Sequence, residues 1–213
     1  DPSSGAFIQS SAGSEKKARQ VKPAGKPQAA EAEKTQKGSN TGLLYKTEVV
    51  GEKGEISWAT GNRTFLSGER VRFHFETNVN GYLLILHKDP SGKSTILFPD
   101  PRIRNGDSYV EKGKDYVIPS GEGWFRFDQN PGKEELTVFL SQNRMEEMDK
   151  FKEKQEMGAE ESRSLYAKAE QAQGGKGLYL EVAEAEVEKA TYVANVSHDP
   201  KALVSTTIIL NHR

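Results

Sequence analysis

Hydrophobic and polar residues alternate along most of the chain after residue 42, and the alternation comes in short blocks. In "RVRFHFE" (70–76), Val71, Phe73 and Phe75 share one face, while Arg70, Arg72, His74 and Glu76 share the other. That is the period of a half-buried strand. "LLYKTEVV" (43–50) precedes it as a first strand. "YLLILHK" (82–88) is apolar on both faces at its centre, which predicts a central strand, and "STILFP" (94–99) ends at Pro99. Asn80-Gly81 between these blocks is a two-residue hairpin signal. "DPSGK" (89–93) offers Pro90 early in a turn and Gly92 for a left-handed conformation. The pattern predicts an antiparallel meander over residues 70–98, with Val71, Phe73 and Phe75 buried.

More strands follow at short spacing: "DYVIP" (115–119), "WFRFD" (124–128) and "EELTVFLS" (134–141). The spacing and the Gly/Pro punctuation argue for a sandwich or barrel. The period then changes. Residues 143–173 are rich in helix formers, with Met145, Met148 and Phe151 on one stripe and Gly158 as a point of division. Strand signals return in "LYLEVAEAEV", "ATYVANV" and "LVSTTIILNH" (203–212). The expected fold is mainly β: an antiparallel β-sandwich over 42–213 with a helical segment inserted at about 143–173. Residues 1–41 precede it as an extended, low-complexity arm. Phe7, Ile8 and Val21 are the only large apolar residues of its first forty positions, too few to offset the entropy of ordering it alone.

Composition sharpens this division. At 34% hydrophobic, 29% charged and a mean hydropathy of -0.74, the chain is polar for a packed domain, consistent with a segment outside any core. The net charge of -1 makes no general case for nucleic acid or an anionic membrane. There is no cysteine, which excludes disulfides, thiolate metal sites and cysteine nucleophiles. No apolar run approaches the roughly 20 residues of a membrane helix. A start at Asp1 is what a mature form lacking its signal peptide would present.

Three stretches resemble a known family. They are "FLSGERVRFHFETNVNGYLLILHKDPSGKSTILFPD" (65–100), "KGKDYVIPSGEGWFRFDQNPGKEELTVFLS" (112–141) and the closing "LNHR" (210–213). They are similar, over roughly residues 43–213, to the bacterial domain of unknown function 4384, with Ser67-Gly68-Glu69-Arg70-Val71, Thr77-Asn78…Gly81-Tyr82, Leu97-Phe98-Pro99 and Tyr116…Ile118-Pro119 as the most specific features. The resemblance implies a bacterial β-domain of the envelope or secreted space, periplasmic or at the cell surface, serving as an accessory module. It brings no catalytic residues. Residues 143–173 are longer than the family pattern, and the arm lies outside it.

Candidate chemistry is sparse. His74, His87, His198 and His212 fall in no metal-binding spacing. His74 and His87, on strands expected to face one another, could approach with Asp89 or Asp107 as a hydrolase-type site. Polar residues on a solvent face are the simpler account. Ser91, His87 and Asp89 lie on one turn, without the context of a nucleophile elbow. Glu69, Asp128 and Glu135 are carboxylates in a chain with many others, and no phosphate-binding or EF-hand loop is present. Alternation sets Phe125 and Phe127 toward a core and Trp124 away from it, so Trp124, with Trp58, is the aromatic expected to meet a glycan, a small ligand or a partner.

These features point to a non-enzymatic extracytoplasmic subunit, without a cofactor, that binds other proteins of an envelope or surface complex. Phe7 and Ile8 in the arm would be held by another chain, giving a route to homo- or hetero-oligomers. Trp124, Met145, Met148 and Phe151 are the remaining candidate partner-binding residues. The Met/Phe stripe has a second account, in which it packs on the sandwich itself. The alternatives are a hydrolase-type enzyme near His74, His87 and Asp89, or a glycan module using Trp58 and Trp124.

Overall fold

The computed structural model describes residues 40–51, 53–59, 63–150, 156–173, 178–184, 189–196 and 203–213, all within the unit Gln36–Arg213. Phe7, Ile8, Phe151 and His198 lie outside the described residues, as does nearly all of the arm. The strands are β1 (Thr41–Val50), β2 (Ile56–Ala59), β3 (Thr64–Phe65), β4 (Arg70–Thr77), β5 (Gly81–Lys88), β6 (Ser94–Phe98), β7 (Tyr109–Val110), β8 (Tyr116–Ile118), β9 (Phe125–Arg126) and β10 (Gly132–Ser141). Helices α1 (Glu146–Lys150) and α2 (Ala159–Gln173) follow, then β11 (Leu178–Glu184), β12 (Lys189–Asn195) and β13 (Val204–His212).

The strands make two sheets. Sheet A runs β11-β12-β1-β4-β8, with β2 on β1 and β9 on β4; sheet B runs β3-β13-β10-β5-β6, with β7 on β5. Pairing is antiparallel throughout except for β3 with β13. The β-sandwich expected from the alternation is therefore the architecture. The inner faces close on one core: Val71, Phe73 and Phe75 from β4 meet Leu83 and Ile85 from β5 and Leu136, Val138 and Leu140 from β10. Each of these eight side chains is at most 2% exposed, so their apolar surface is almost wholly removed from water.

The expected meander is half right. β5 and β6 form the hairpin around the 89–93 turn, where Gly92 takes a φ of 88° and its N–H donates to the Asp89 carbonyl at 2.9 Å. β4 and β5 do not pair. β4 belongs to sheet A and β5 to sheet B, so Asn78–Asn80 is an arch that carries the chain across the sandwich. Gly81 has no left-handed φ; its role is close approach, because a Cβ there would stand 2.6 Å from the Ser141 carbonyl oxygen. The Asn78 side chain holds the arch, accepting from the Gly42 N–H at 2.7 Å and donating to the Asn40 carbonyl at 2.9 Å.

β5 is central in sheet B and buried on both faces, as its composition predicts. Its outer residues Leu84 and Leu86 pack with Ile96, Phe139, Met148, Leu165 and Ala169 in a second cluster. The described residues of the helical stripe, Met145 and Met148, thus pack on the sandwich. Met148 and Leu165 are each 2% exposed, so Met148 is spent inside the domain rather than offered to a partner, and Met145 packs against the same cluster. Gly158 is where the helical pattern divides: α2 starts after it, and its N–H donates to the Glu161 carboxylate at 3.0 Å, half of a capping box.

The close approach at Gly81 is open to experiment. Gly81→Ala is expected to destabilise the domain by about 1–3 kcal/mol through overpacking against Ser141, measured by urea unfolding. A neutral result would refute the close approach of Gly81 to the Ser141 backbone.

Candidate binding face

The outer face of sheet A gathers the polar side of β4. Register places Glu48 beside both Arg72 and Trp58, and Lys46 beside His74. Glu48 is 5% exposed and bonds the Arg72 guanidinium; His74 reaches Glu48 through Nε2 at 3.0 Å and Asp115 through Nδ1 at 2.8 Å. Burial alone would push the Glu48 carboxyl up, but hydrogen bonds from Arg72 and His74 outweigh it and hold the group below the ordinary glutamate value.

Both tryptophans border this network. The Trp58 ring meets the His74 ring edge-on at 5.2 Å, with the Lys46 ammonium 5.1 Å from its centre. Trp124 lies under Arg72 at 4.3 Å and Arg70 at 5.8 Å. Alternation puts it there, since its neighbour Phe125 pairs with Val71 and packs toward the core, with its ring 6.2 Å from that of Phe73. Both tryptophans are half-buried. Cation–π contacts hold the rings, and the ion network beneath holds the cations. This makes an ordered amphipathic surface, able to stack a planar group or bury an apolar side chain beside directed donors.

The other candidates come apart. His74 faces outward from sheet A, whereas His87 sits on sheet B and points into the sandwich, where its Nε2 bonds Glu134 at 2.8 Å. The two histidines therefore do not form one site with Asp89. Asp89 is occupied within its turn, accepting from Ser91 Oγ at 2.6 Å and the Lys93 N–H at 2.9 Å. The hydrogen bond from Ser91 is the main reason its carboxyl lies below the usual range. Among the described residues no group of three or more His, Asp or Glu side chains could hold a metal ion. No helix among them is long and apolar enough to cross a membrane.

One contact was invisible along the sequence. His212 does not bond locally: its Nε2 lies 3.1 Å from Ser67 Oγ, 145 residues away, and its ring packs on Phe127 at 5.0 Å. Its Nδ1 is buried without a hydrogen-bond partner among the described residues, so none of their carboxylates orients the ring as a serine–histidine mechanism requires. The pair is a clasp. Arg213 N–H to the Phe65 carbonyl and Ser67 N–H to the Arg213 carbonyl, at 3.0 and 3.3 Å, complete it. Glu69, 5% exposed, accepts from Leu66 N–H at 2.9 Å and bonds Arg63.

Residues 64–144 match the family model described as "Domain of unknown function (DUF4384)", a shorter span than the roughly 43–213 of the expected resemblance, and the closing residues 210–213 lie outside it. The match runs from β3 to the residues after β10, taking in the arch, the hairpin and most of the core. No curated protein and no solved structure matches the chain.

The lowered Glu48 pKa fixes the sign of an acid effect. A carboxylate whose folded pKa lies below its unfolded value contributes stability above that unfolded value, and the contribution is lost as pH falls through the folded pKa. Glu48→Gln should therefore lower stability at neutral pH and flatten the decline below the ordinary glutamate value of 4.5. Urea midpoints across the acid range test this; parallel curves for the two proteins would refute it.

Proposed function

We propose that the chain is a non-enzymatic binding subunit of a larger extracytoplasmic bacterial assembly, and that it docks a partner protein on the outer face of sheet A. The observation that carries this reading is that both tryptophans stand on that face, braced by Lys46, Arg70 and Arg72 around Glu48 and His74. Tryptophan and arginine dominate the energetic centres of protein interfaces. The rings and cations here are already held in place, which reduces the entropy lost on docking. The outer face of sheet B, by contrast, receives α1 and α2.

A non-enzymatic role is supported by the way the candidate catalytic groups are used. His74 bridges two carboxylates, His87 bonds Glu134, and Ser91 bonds Asp89. The family resemblance supports the extracytoplasmic location, and the low-complexity arm has the composition of a tether between the folded unit and a neighbour. Sugar recognition by the same two rings is the second reading, because an aromatic plane flanked by His, Glu and Arg side chains also suits a stacked sugar.

The test is affinity isolation of the tagged chain from its native host, comparing wild type, Trp58→Ala/Trp124→Ala and a Tyr166→Ala control on α2. A stoichiometric protein partner should be retained by wild type and control, and reduced at least about tenfold by the double substitution. Undiminished recovery with both tryptophans removed would overturn the docking face. Release by free oligosaccharide would choose the sugar reading, and recovery in the cytoplasmic fraction would overturn the location.

A further inference from the structure

The sandwich interior is not filled at the end where β4 begins and β5 finishes. A cavity of about 130 Å³ lies between the sheets there. Its floor is Val71, Phe73, Leu136, Phe127 and Leu210, all at most 4% exposed; Leu97 and Phe125, partly buried, stand nearer the mouth. Three polar side chains also line it: His87, Glu134 and the exposed Arg126. An apolar void in a core costs stability, and an apolar cavity of about 150 Å³ is large enough to take one benzene ring.

We propose that this cavity is a binding site for a p-hydroxyphenyl group. The volume sets the size at a single ring. Three phenyl rings in the lining favour an aromatic guest, whose edges and faces they can meet. The head group follows from the polar end. Glu134 lines the cavity and spends Oε2 on His87 Nε2 at 2.8 Å, which leaves Oε1 as an acceptor, and both side chains are only about one-fifth exposed (22% and 20%). Of the two lining charges Arg126 is exposed and screened by solvent, while Glu134 is only about one-fifth exposed, so a carboxylate guest would set its charge against the less solvated group, and a hydroxyl would donate to it. A bare ring would fill the cavity without gaining that hydrogen bond. The group could arrive as a free phenol or as a tyrosine side chain of a partner, and both share this chemistry. The site is on the inner side of the sheets and stands independently of the tryptophan face.

The experiment titrates the whole chain with p-cresol, toluene, benzoate and the tripeptide Gly-Tyr-Gly, read by NMR. p-Cresol should bind one-to-one, about tenfold tighter than toluene because its hydroxyl bonds a charged acceptor, with benzoate weaker than either. Its ring protons should show contacts to the methyl groups of Val71, Leu136 and Leu210. Glu134→Leu should bring p-cresol and toluene to equal affinity, and Leu97→Trp should abolish binding of both by filling the mouth. Each variant is first checked for retained fold through its spectrum. Binding of Gly-Tyr-Gly at the same methyls assigns the source to a peptide tyrosine; its exclusion assigns a free phenol. Absent saturable binding of p-cresol to the wild type, contacts mapping elsewhere, or equal affinity of p-cresol and toluene for the wild type would overturn the proposal.

Discussion

The fold depends on one crossing of the chain from sheet to sheet. β4 and β5 are neighbours in sequence, each carry an apolar face into the core, and lie back to back rather than side by side. The arch at Asn78–Asn80 is what lets Val71, Phe73 and Phe75 look across at Leu83 and Ile85. It is tied on every side: Asn78 to the start of β1, Thr77 Oγ1 to the Val79 carbonyl, and Asn80 Oδ1 to the Lys112 N–H. Gly81 then lets β5 press against the Ser141 backbone. A hairpin at this point would put both apolar faces in one sheet and leave the core without a second layer.

The faces of the strands were legible in the sequence and their partners were not. Alternation says which side of β4 is buried, because side chains point to opposite faces every residue. It does not say which strand lies alongside. Asn80-Gly81 misleads for a physical reason: a tight turn wants glycine for its φ, a close crossing wants it for its missing Cβ, and both leave the same two letters. The hairpin at Asp89–Lys93 was readable because Gly92 does adopt the left-handed conformation. The candidate face was readable only in part. Alternation turned Trp124 outward, but nothing local to β2 places Trp58 beside His74, and the Ser67–His212 clasp joins the β3–β4 turn to the end of β13 through space.

The two sheets are used differently, and this asymmetry follows from composition. β5 is apolar on both faces at its centre, so sheet B needs a cover outside as well as a core inside, and α1 and α2 supply it through Met148, Leu165 and Ala169. β4 alternates strictly, so sheet A needs no cover; its outer face can stand in water with Arg70, Arg72, His74 and Glu76. A helix with a methionine stripe looks like a docking element until the sheet it must cover is recognised. Sheet A is the one left open to solvent.

The ion pair at the centre of that open face is a poor device for stability alone. Withdrawing Glu48 from water costs free energy, and Arg72 with His74 repays it only by holding a fixed geometry, which apolar side chains of similar size could replace without loss. Such a pair does something that apolar packing cannot. It fixes where a guanidinium sits, and the guanidinium in turn lies over Trp124 while the histidine meets Trp58. The network therefore makes most sense as the support of two aromatic rings, whose positions it fixes on the outer face of sheet A.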